Sequence, residues 1–242
     1  MEKALPWLEQ DSLYFPPHSN AQSDPNGLLA IGGDLSLQRL IKAYSLGIFP
    51  WFNEGQPILW WCPTPRAIIP TNQLIVNKTT RKFLKKTNYT VTVNNAFDQV
   101  IRFCANAPFR SEETWITTEM RQAYLNLHQA GYAHSIEVWY EGELIGGLYG
   151  IAINGYFSGE SMFYKRDNAS KVALIALTSL LKNAGISFID CQIENPFLNS
   201  MGCIKLTRDK FIALKNEAMA LALPAQFWQQ RPLDLTEFIS KM

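Results

Sequence analysis

The dipeptide Asn154-Gly155, set between two long runs of largely apolar residues, constrains this chain more than any other feature. Both residues tolerate the positive φ of a two-residue hairpin turn, so residues 143–153 and 156–164 are predicted to pair as antiparallel strands. A second tight turn at Glu141-Gly142 adds residues 134–140 and completes a three-stranded meander. An apolar helix is expected over residues 169–183, with Asp167 or Asn168 as its cap and Gly185 as its stop, followed by a strand at 188–193. Strand, helix, strand calls for a right-handed crossover, which sets the last strand parallel to its predecessor and makes the sheet mixed. Residues 208–219 read as another helix. The fold class is α+β.

Residues 1–65 read differently. Pro16-Pro17, Asp24-Pro25-Asn26-Gly27, Gly32-Gly33, Pro50, Pro57, Pro63 and Pro65 punctuate them, and only residues 36–46 show helical periodicity, capped by Asp34 or Ser36 and stopped by Gly47. A small irregular N-terminal domain over 1–65 and a larger domain over 66–242 are therefore expected. Trp51, Trp60 and Trp61 cluster late in the small unit, as satellite core or as one wall of a pocket.

A chain of 242 residues buries a core without staples. Its four cysteines form no C-x-x-C pair and its start shows no apolar leader, which points to reduced thiols in the cytoplasm. The longest apolar-dominated stretch, residues 172–181, is far short of the ~20 residues a membrane span needs. Net charge is +1, so attraction to a polyanion has to be local. It is local: between Glu54 and Asp98 there is no acidic residue, while Arg66, Lys78, Arg81, Lys82, Lys85 and Lys86 give that segment +6 and leave −5 to the rest. The last five stand at i, i+3, i+4, i+7 and i+8, one stripe of about 140° on a helix capped by Asn77, with Thr80, Phe83, Leu84 and Thr87 facing the body. The stripe is either a solvated face or a phosphate site. The lack of carboxylates at i+4 favours the polyanion, held without reading its bases.

On the strand at 188–193, period two puts Asp190 and Gln192 on one face and Ile189, Cys191 and Ile193 on the other. Asp190 either ties down a loop or forms with Gln192 an acceptor pair for an incoming amine. Glu160, on the strand before the crossover, either points to solvent or joins Asp190 in a pocket suited to a cation. No metal spacing appears among His18, His128, His134 and the cysteines, and there is no nucleophile elbow, Walker loop or dinucleotide fingerprint. Serine hydrolysis, hydride transfer and nucleotide hydrolysis drop out.

Several blocks, taken together, are specific: residues 24–35 (Asp-Pro-Asn-Gly-Leu-Leu-Ala-Ile-Gly-Gly-Asp-Leu), 47–52 (Gly-Ile-Phe-Pro-Trp-Phe), 58–63 (Ile-Leu-Trp-Trp-Cys-Pro), 114–117 (Thr-Trp-Ile-Thr), 134–139 (His-Ser-Ile-Glu-Val-Trp), 159–163 (Gly-Glu-Ser-Met-Phe), 168–171 (Asn-Ala-Ser-Lys) and 189–192 (Ile-Asp-Cys-Gln). In this order they resemble the bacterial leucyl/phenylalanyl-tRNA-protein transferases, over most of the chain. The resemblance implies a cytoplasmic enzyme that moves leucine or phenylalanine, and less often methionine, from aminoacyl-tRNA to proteins with N-terminal lysine or arginine and so marks them for N-degron proteolysis. It implies a GNAT-like larger domain. Residues 166–171, Arg-Asp-Asn-Ala-Ser-Lys, lack the glycines with which a GNAT acetyltransferase holds a CoA pyrophosphate, so no cofactor is expected. By the resemblance, Asp190 and Gln192 act at the reacting amine, Glu160 belongs to the substrate site, and Trp51, Trp115, Leu148, Met162 and Leu174 surround the aminoacyl side chain. Lys78, Arg81, Lys82, Lys85 and Lys86 match the helix that meets the tRNA acceptor arm. Nothing in the sequence demands more than a monomer. A CoA-dependent N-acyltransferase and a non-catalytic tRNA-binding module are the alternatives.

Overall fold

The computed structural model describes residues 5–106 and 115–235. Four short strands, β1 (Trp7–Leu8), β2 (Leu28–Gly32), β3 (Phe49–Pro50) and β4 (Leu59–Trp61), form a small sheet in the order β1-β2-β4-β3. Helix α1 (Leu37–Ser45) lies between β2 and β3 in the chain, with the Ser36 hydroxyl capping its start and Gly47, at φ 76°, turning the chain after its end. The irregular unit expected from the proline and glycine pattern thus holds a sheet. Strands of two to five residues leave too few positions for a period of two to show.

Next come β5 (Arg66–Pro70), α2 (Lys78–Leu84), β6 (Thr90–Val93), α3 (Phe97–Ala105) and α4 (Thr118–Gln129). The meander follows as β7 (Ala133–Tyr140), β8 (Glu143–Ile153) and β9 (Tyr156–Tyr164), joined at Glu141-Gly142 and Asn154-Gly155, where Glu141, Gly142 and Asn154 take positive φ. Helix α5 (Ala169–Asn183) crosses over to β10 (Phe188–Gln192), which pairs parallel to β9 through Asp190 and Ser158. The chain finishes with α6 (Pro196–Ser200), β11 (Ile204–Leu206), α7 (Arg208–Met219) and β12 (Arg231–Leu233). The large sheet has the order β11-β5-β10-β9-β8-β7-β6-β12, and it is mixed, as the crossover demanded.

The alternation along the meander separates two cores. Ile136, Val138, Ile145 and Leu148 pack with α5, whereas Tyr149, Ile151 and Phe163 pack with α1, α3 and α4 and with Trp60 of the small sheet. Helix α5 sits close because Gly146 gives it room: a Cβ there would stand 2.5 Å from the Cβ of Ala169. The cap expected for α5 is absent. Asn168 occupies the position in a left-handed conformation and its side chain makes no capping bond.

Candidate active site

Two carboxylates and one amide meet where β9 and β10 part. β10 is not regular: Asp190 pairs with Ile68 and Gln192 with the next partner, Ala67, so Cys191 is an extra residue in the ladder. This bulge throws Gln192 into the left-handed region, φ 55°, where glutamine is strained. The backbone N–H of Gln192 donates to Asp190 Oδ1 at 3.0 Å, which holds the turn in place. The expected strict alternation therefore stops at Asp190. Ile189 and Cys191 line the same cavity as Gln192, together with Ile193 beyond the strand end.

Asp190 itself does not reach that cavity. It is fully buried, and Arg66 on β5 grips it with two bonds, Nε to Oδ1 at 2.8 Å and Nη2 to Oδ2 at 2.7 Å. The Tyr156 hydroxyl donates to Oδ2 at 2.6 Å. Burial works against the charge on Arg66, yet the facing carboxylate outweighs it and holds the guanidinium above its ordinary pKa. The rings of Phe49 and Phe211 lie 4.8 and 4.5 Å from the guanidinium carbon. Such a pair is fixed in geometry and costly to break.

Glu160 is the acid that lines the cavity. Its Oε2 accepts from the Tyr124 hydroxyl at 2.9 Å, and Tyr124 shares a 2.5 Å hydrogen bond with Tyr44 of α1. Its Oε1 accepts from Ser158 Oγ at 3.2 Å and from Gln192 Nε2 at 3.3 Å. Gln192 Nε2 also donates to Ser158 Oγ at 2.7 Å. With Nε2 so engaged, the carbonyl oxygen of Gln192 has no donor among the described residues. Burial lifts Glu160 to about 7, against the hydroxyls that donate to it. The site thus offers one unused acceptor and one carboxylate poised near neutrality.

The cavity beside them has a volume of about 720 Å³, within the range of small-molecule sites. Its apolar lining includes Trp51, Trp115, Leu148, Met162, Leu174 and Leu177. Phe49, Pro50 and Trp51 reach it from the small sheet, so that unit supplies a wall. Of the clustered tryptophans, Trp60 is core and donates to Gly32 O at 2.8 Å, while Trp51 stays 42% exposed at the cavity and packs 5.8 Å from Trp61.

A family model described as leucyl/phenylalanyl-tRNA protein transferase matches residues 68–216, and the model of the N-terminal domain of that family matches residues 33–64. The leucyl/phenylalanyl-tRNA–protein transferase of Colwellia psychrerythraea is 56% identical over 238 residues, covering 96% of this chain and 99% of its own. That of Pseudoalteromonas atlantica is 50% identical over 222 residues, 92% of this chain and 95% of its own. The chain belongs to the leucyl/phenylalanyl-tRNA protein transferase family. Among solved structures, a conserved protein of Staphylococcus epidermidis of unknown function reaches a TM-score of 0.40 at 10% identity over 74% of this chain and 68% of its own, too low a likeness to bear on fold or chemistry.

For a leucyl/phenylalanyl-tRNA protein transferase, the structure places the sequence-derived residues as follows. Glu160, Gln192, Trp51, Trp115, Leu148, Met162 and Leu174 come together on one cavity. Asp190 lies behind it, so the expectation that two acids line a cation pocket is corrected: Arg66 already neutralises one of them. The same pair removes Arg66 from the basic surface, since it is 0% exposed. Lys78, Arg81, Lys82, Lys85 and Lys86 are all exposed, but α2 ends at Leu84, with Lys85 as its C-cap and Lys86 in the turn beyond. The Asn77 side chain caps α2 by accepting from Thr80 N at 2.8 Å, and Thr80 and Leu84 face the body. Thr114, in one of the matching blocks, lies outside the described residues.

The sequence reading missed Arg66, Tyr156, Ser158, Tyr124 and Tyr44. Tyr156 and Ser158 alternate with Glu160 along β9, so the period of two held a signal for them. Arg66 stands 124 residues from its partner, and no local pattern reports such a pair. His128 and His134 are structural: they stack on Phe97 and Trp228, and burial lowers His134 to about 3. Among the described residues no cluster of ligands suits a metal ion, and no helix is long and apolar enough to cross a membrane.

Proposed function

We propose that this transferase takes leucine or phenylalanine, and less readily methionine, from aminoacyl-tRNA and joins it to the α-amine of proteins that begin with lysine or arginine, marking them for N-degron degradation. The carrying observation is the unused carbonyl oxygen of Gln192 beside Glu160 in the lining of an apolar cavity. The donor ester is already activated, so the reaction needs no cofactor. The acceptor amine, with a pKa near 7.7 to 8.0, is partly neutral at cellular pH. Positioning then supplies much of the rate, up to ~7 to 11 kcal/mol in ideal cases. The amine nitrogen attacks the ester carbonyl carbon, the C–N bond forms, and the C–O bond to the ribose breaks. The amine's proton leaves, in the net balance, on the freed ribose hydroxyl. Gln192 Oε1 accepts a hydrogen bond from the amine and aligns it as charge develops. Asp190 is a positioning residue: with Arg66 and Tyr156 it fixes the bulge that presents Gln192.

Glu160 favours a cationic acceptor, and Trp51, Trp115, Leu148, Met162 and Leu174 hold the aminoacyl side chain. An unbranched or γ-branched group enters this pocket, and one methylene is worth only about 1 to 3 kcal/mol of discrimination, which accounts for methionine. Lys78, Arg81, Lys82, Lys85 and Lys86 bind the acceptor arm through phosphates. We read residues 1–65 and 66–242 as two domains, the second GNAT-like by its meander, crossover helix and parallel strand, in a monomeric cytoplasmic protein. The test is mass spectrometry of an arginine-initiated peptide incubated with the protein and leucyl-tRNA. A gain of one leucyl residue is expected, and an unchanged peptide overturns the reading.

A further inference from the structure

The start of α5 reaches the cavity without the groups that normally satisfy a helix N-terminus. Asn168 makes no side-chain cap and the first turn has no acid; Ala169 N donates to Arg166 O at 3.2 Å, while the amides of Ser170 and Lys171 have no acceptor among the described residues and keep their partial positive charge. Ser170 in that turn is only 7% exposed and lines the cavity, and its hydroxyl has no hydrogen-bond partner among the described residues. The residue is packed in on its other sides, so its unpaired hydroxyl is accessible from the cavity and available to a polar group placed there. Arg166, just upstream, is exposed and lies 4.3 Å over the Tyr140 ring, with no ion-pair partner among the described residues. Tyr140 meets Tyr89 at 5.8 Å and Tyr89 meets Phe83 of α2 at 5.2 Å, so a packed aromatic line runs from the basic helix to this spot. The Tyr89 hydroxyl donates to Asp167 O at 3.3 Å and pins the loop.

We propose that the N-terminus of α5, with Ser170 and Arg166, holds the phosphate on the 5′ side of the terminal nucleoside of the acyl carrier. The inference rests on the aminoacyl-tRNA reading above and adds a named contact to it. The two amides without acceptors, a hydroxyl and a guanidinium together suit a phosphate monoanion. Its position follows from the ester: with the acyl group in the cavity, this phosphate stands one ribose away from the reacting oxygen, and Ser170 shares that cavity with Gln192. The glycine-free loop 166–171, which keeps a pyrophosphate from lying along the backbone, does not hinder a single phosphate met by side chains and one helix end. Asp167, the acid in this loop, is exposed, where water screens it.

The experiment compares two short donors, the 3′-leucyl ester of adenosine and the same ester of adenosine 5′-monophosphate, in transfer to an arginine-initiated peptide. In the wild type the phosphate is expected to lower the donor KM about tenfold. Ser170→Ala and Arg166→Ala are expected to bring the ratio of the two KM values close to one, while Lys182→Ala, at the exposed far end of α5, keeps it. Equal KM values in the wild type, or an undiminished ratio in Arg166→Ala, overturn the proposal. Arg166 is exposed, so its variant decides the matter even if Ser170→Ala fails to fold. Absence of transfer by the wild type from either ester and from leucyl-tRNA would sink the aminoacyl-tRNA reading instead.

Discussion

Two neighbouring residues on β10 do different work, and substitution separates them. Gln192→Ala removes the free acceptor but leaves the Arg66–Asp190 pair intact; kcat is expected to fall about 10²-fold with the melting temperature nearly unchanged. Asp190→Asn leaves a buried guanidinium without its counter-charge, and a loss of about 3 to 5 kcal/mol in stability is expected from denaturant titration. Equal melting temperatures for the two variants would show that Asp190 does not hold the bulge. Glu160 gives a pH test. Its carboxyl lies near 7 in the folded chain because burial disfavours the charge, against about 4.3 when free. The folded protein therefore keeps a proton that the unfolded chain has lost between those values, and this group costs stability as pH rises through that window. The attraction for a cationic acceptor proposed for it runs the other way and is expected to fade below pH 7. The KM for an arginine-initiated peptide should rise from pH 8 to pH 6 in the wild type, beyond the rise that protonation of the peptide amine causes in Glu160→Gln. Parallel KM profiles in the two proteins would remove Glu160 from acceptor choice.

Helix α2 counts as one unit, since three of the five cations lie on it and two directly follow it, and Thr80 and Leu84 hold it to the body. If all five meet phosphates, log K for tRNA is expected to fall against log salt with a slope of roughly −3.5 to −4.5, and Lys82→Ala to flatten it by about 0.7 to 0.9. A nitrocellulose-filter titration over a salt series measures both, and an unaltered slope in Lys82→Ala would show that this lysine meets no phosphate. At this scale the sequence was most readable where one period ran for many residues: β8, β9, α5 and α7 begin and end where alternation, Asn154-Gly155 and helical spacing put them. It was least readable where strands are two or three residues long, as in β1, β3 and β4. The candidate site divides the same way. Glu160, Gln192 and the pocket residues came from motif resemblance and period two. The bulge at Cys191 did not, because an extra residue in a ladder shows only against its partner strand.

Across the whole molecule, the small sheet and the large one are tied at α7. Lys215 is 2% exposed, its ammonium donates to Ser45 O at the end of α1, and burial lowers it to about 8. Free lysine titrates near 10.4, so between those values the unfolded chain holds more protons and stability is expected to rise with pH. Denaturant midpoints from pH 8 to pH 9.5 should climb in the wild type and stay flatter in Lys215→Met. Identical slopes would mean that Lys215 does not titrate in this range. Phe49 takes part in the same union, since its ring covers the guanidinium that anchors Asp190. Two residues on, Trp51 lines the cavity with its indole still 42% exposed. On the function proposed above, the activated ester has two possible takers, a peptide amine and water, and the indole is expected to help decide which arrives. Were that shutter removed, a protein working as proposed would spill its cargo as a free amino acid: a transferase turned esterase by one missing ring.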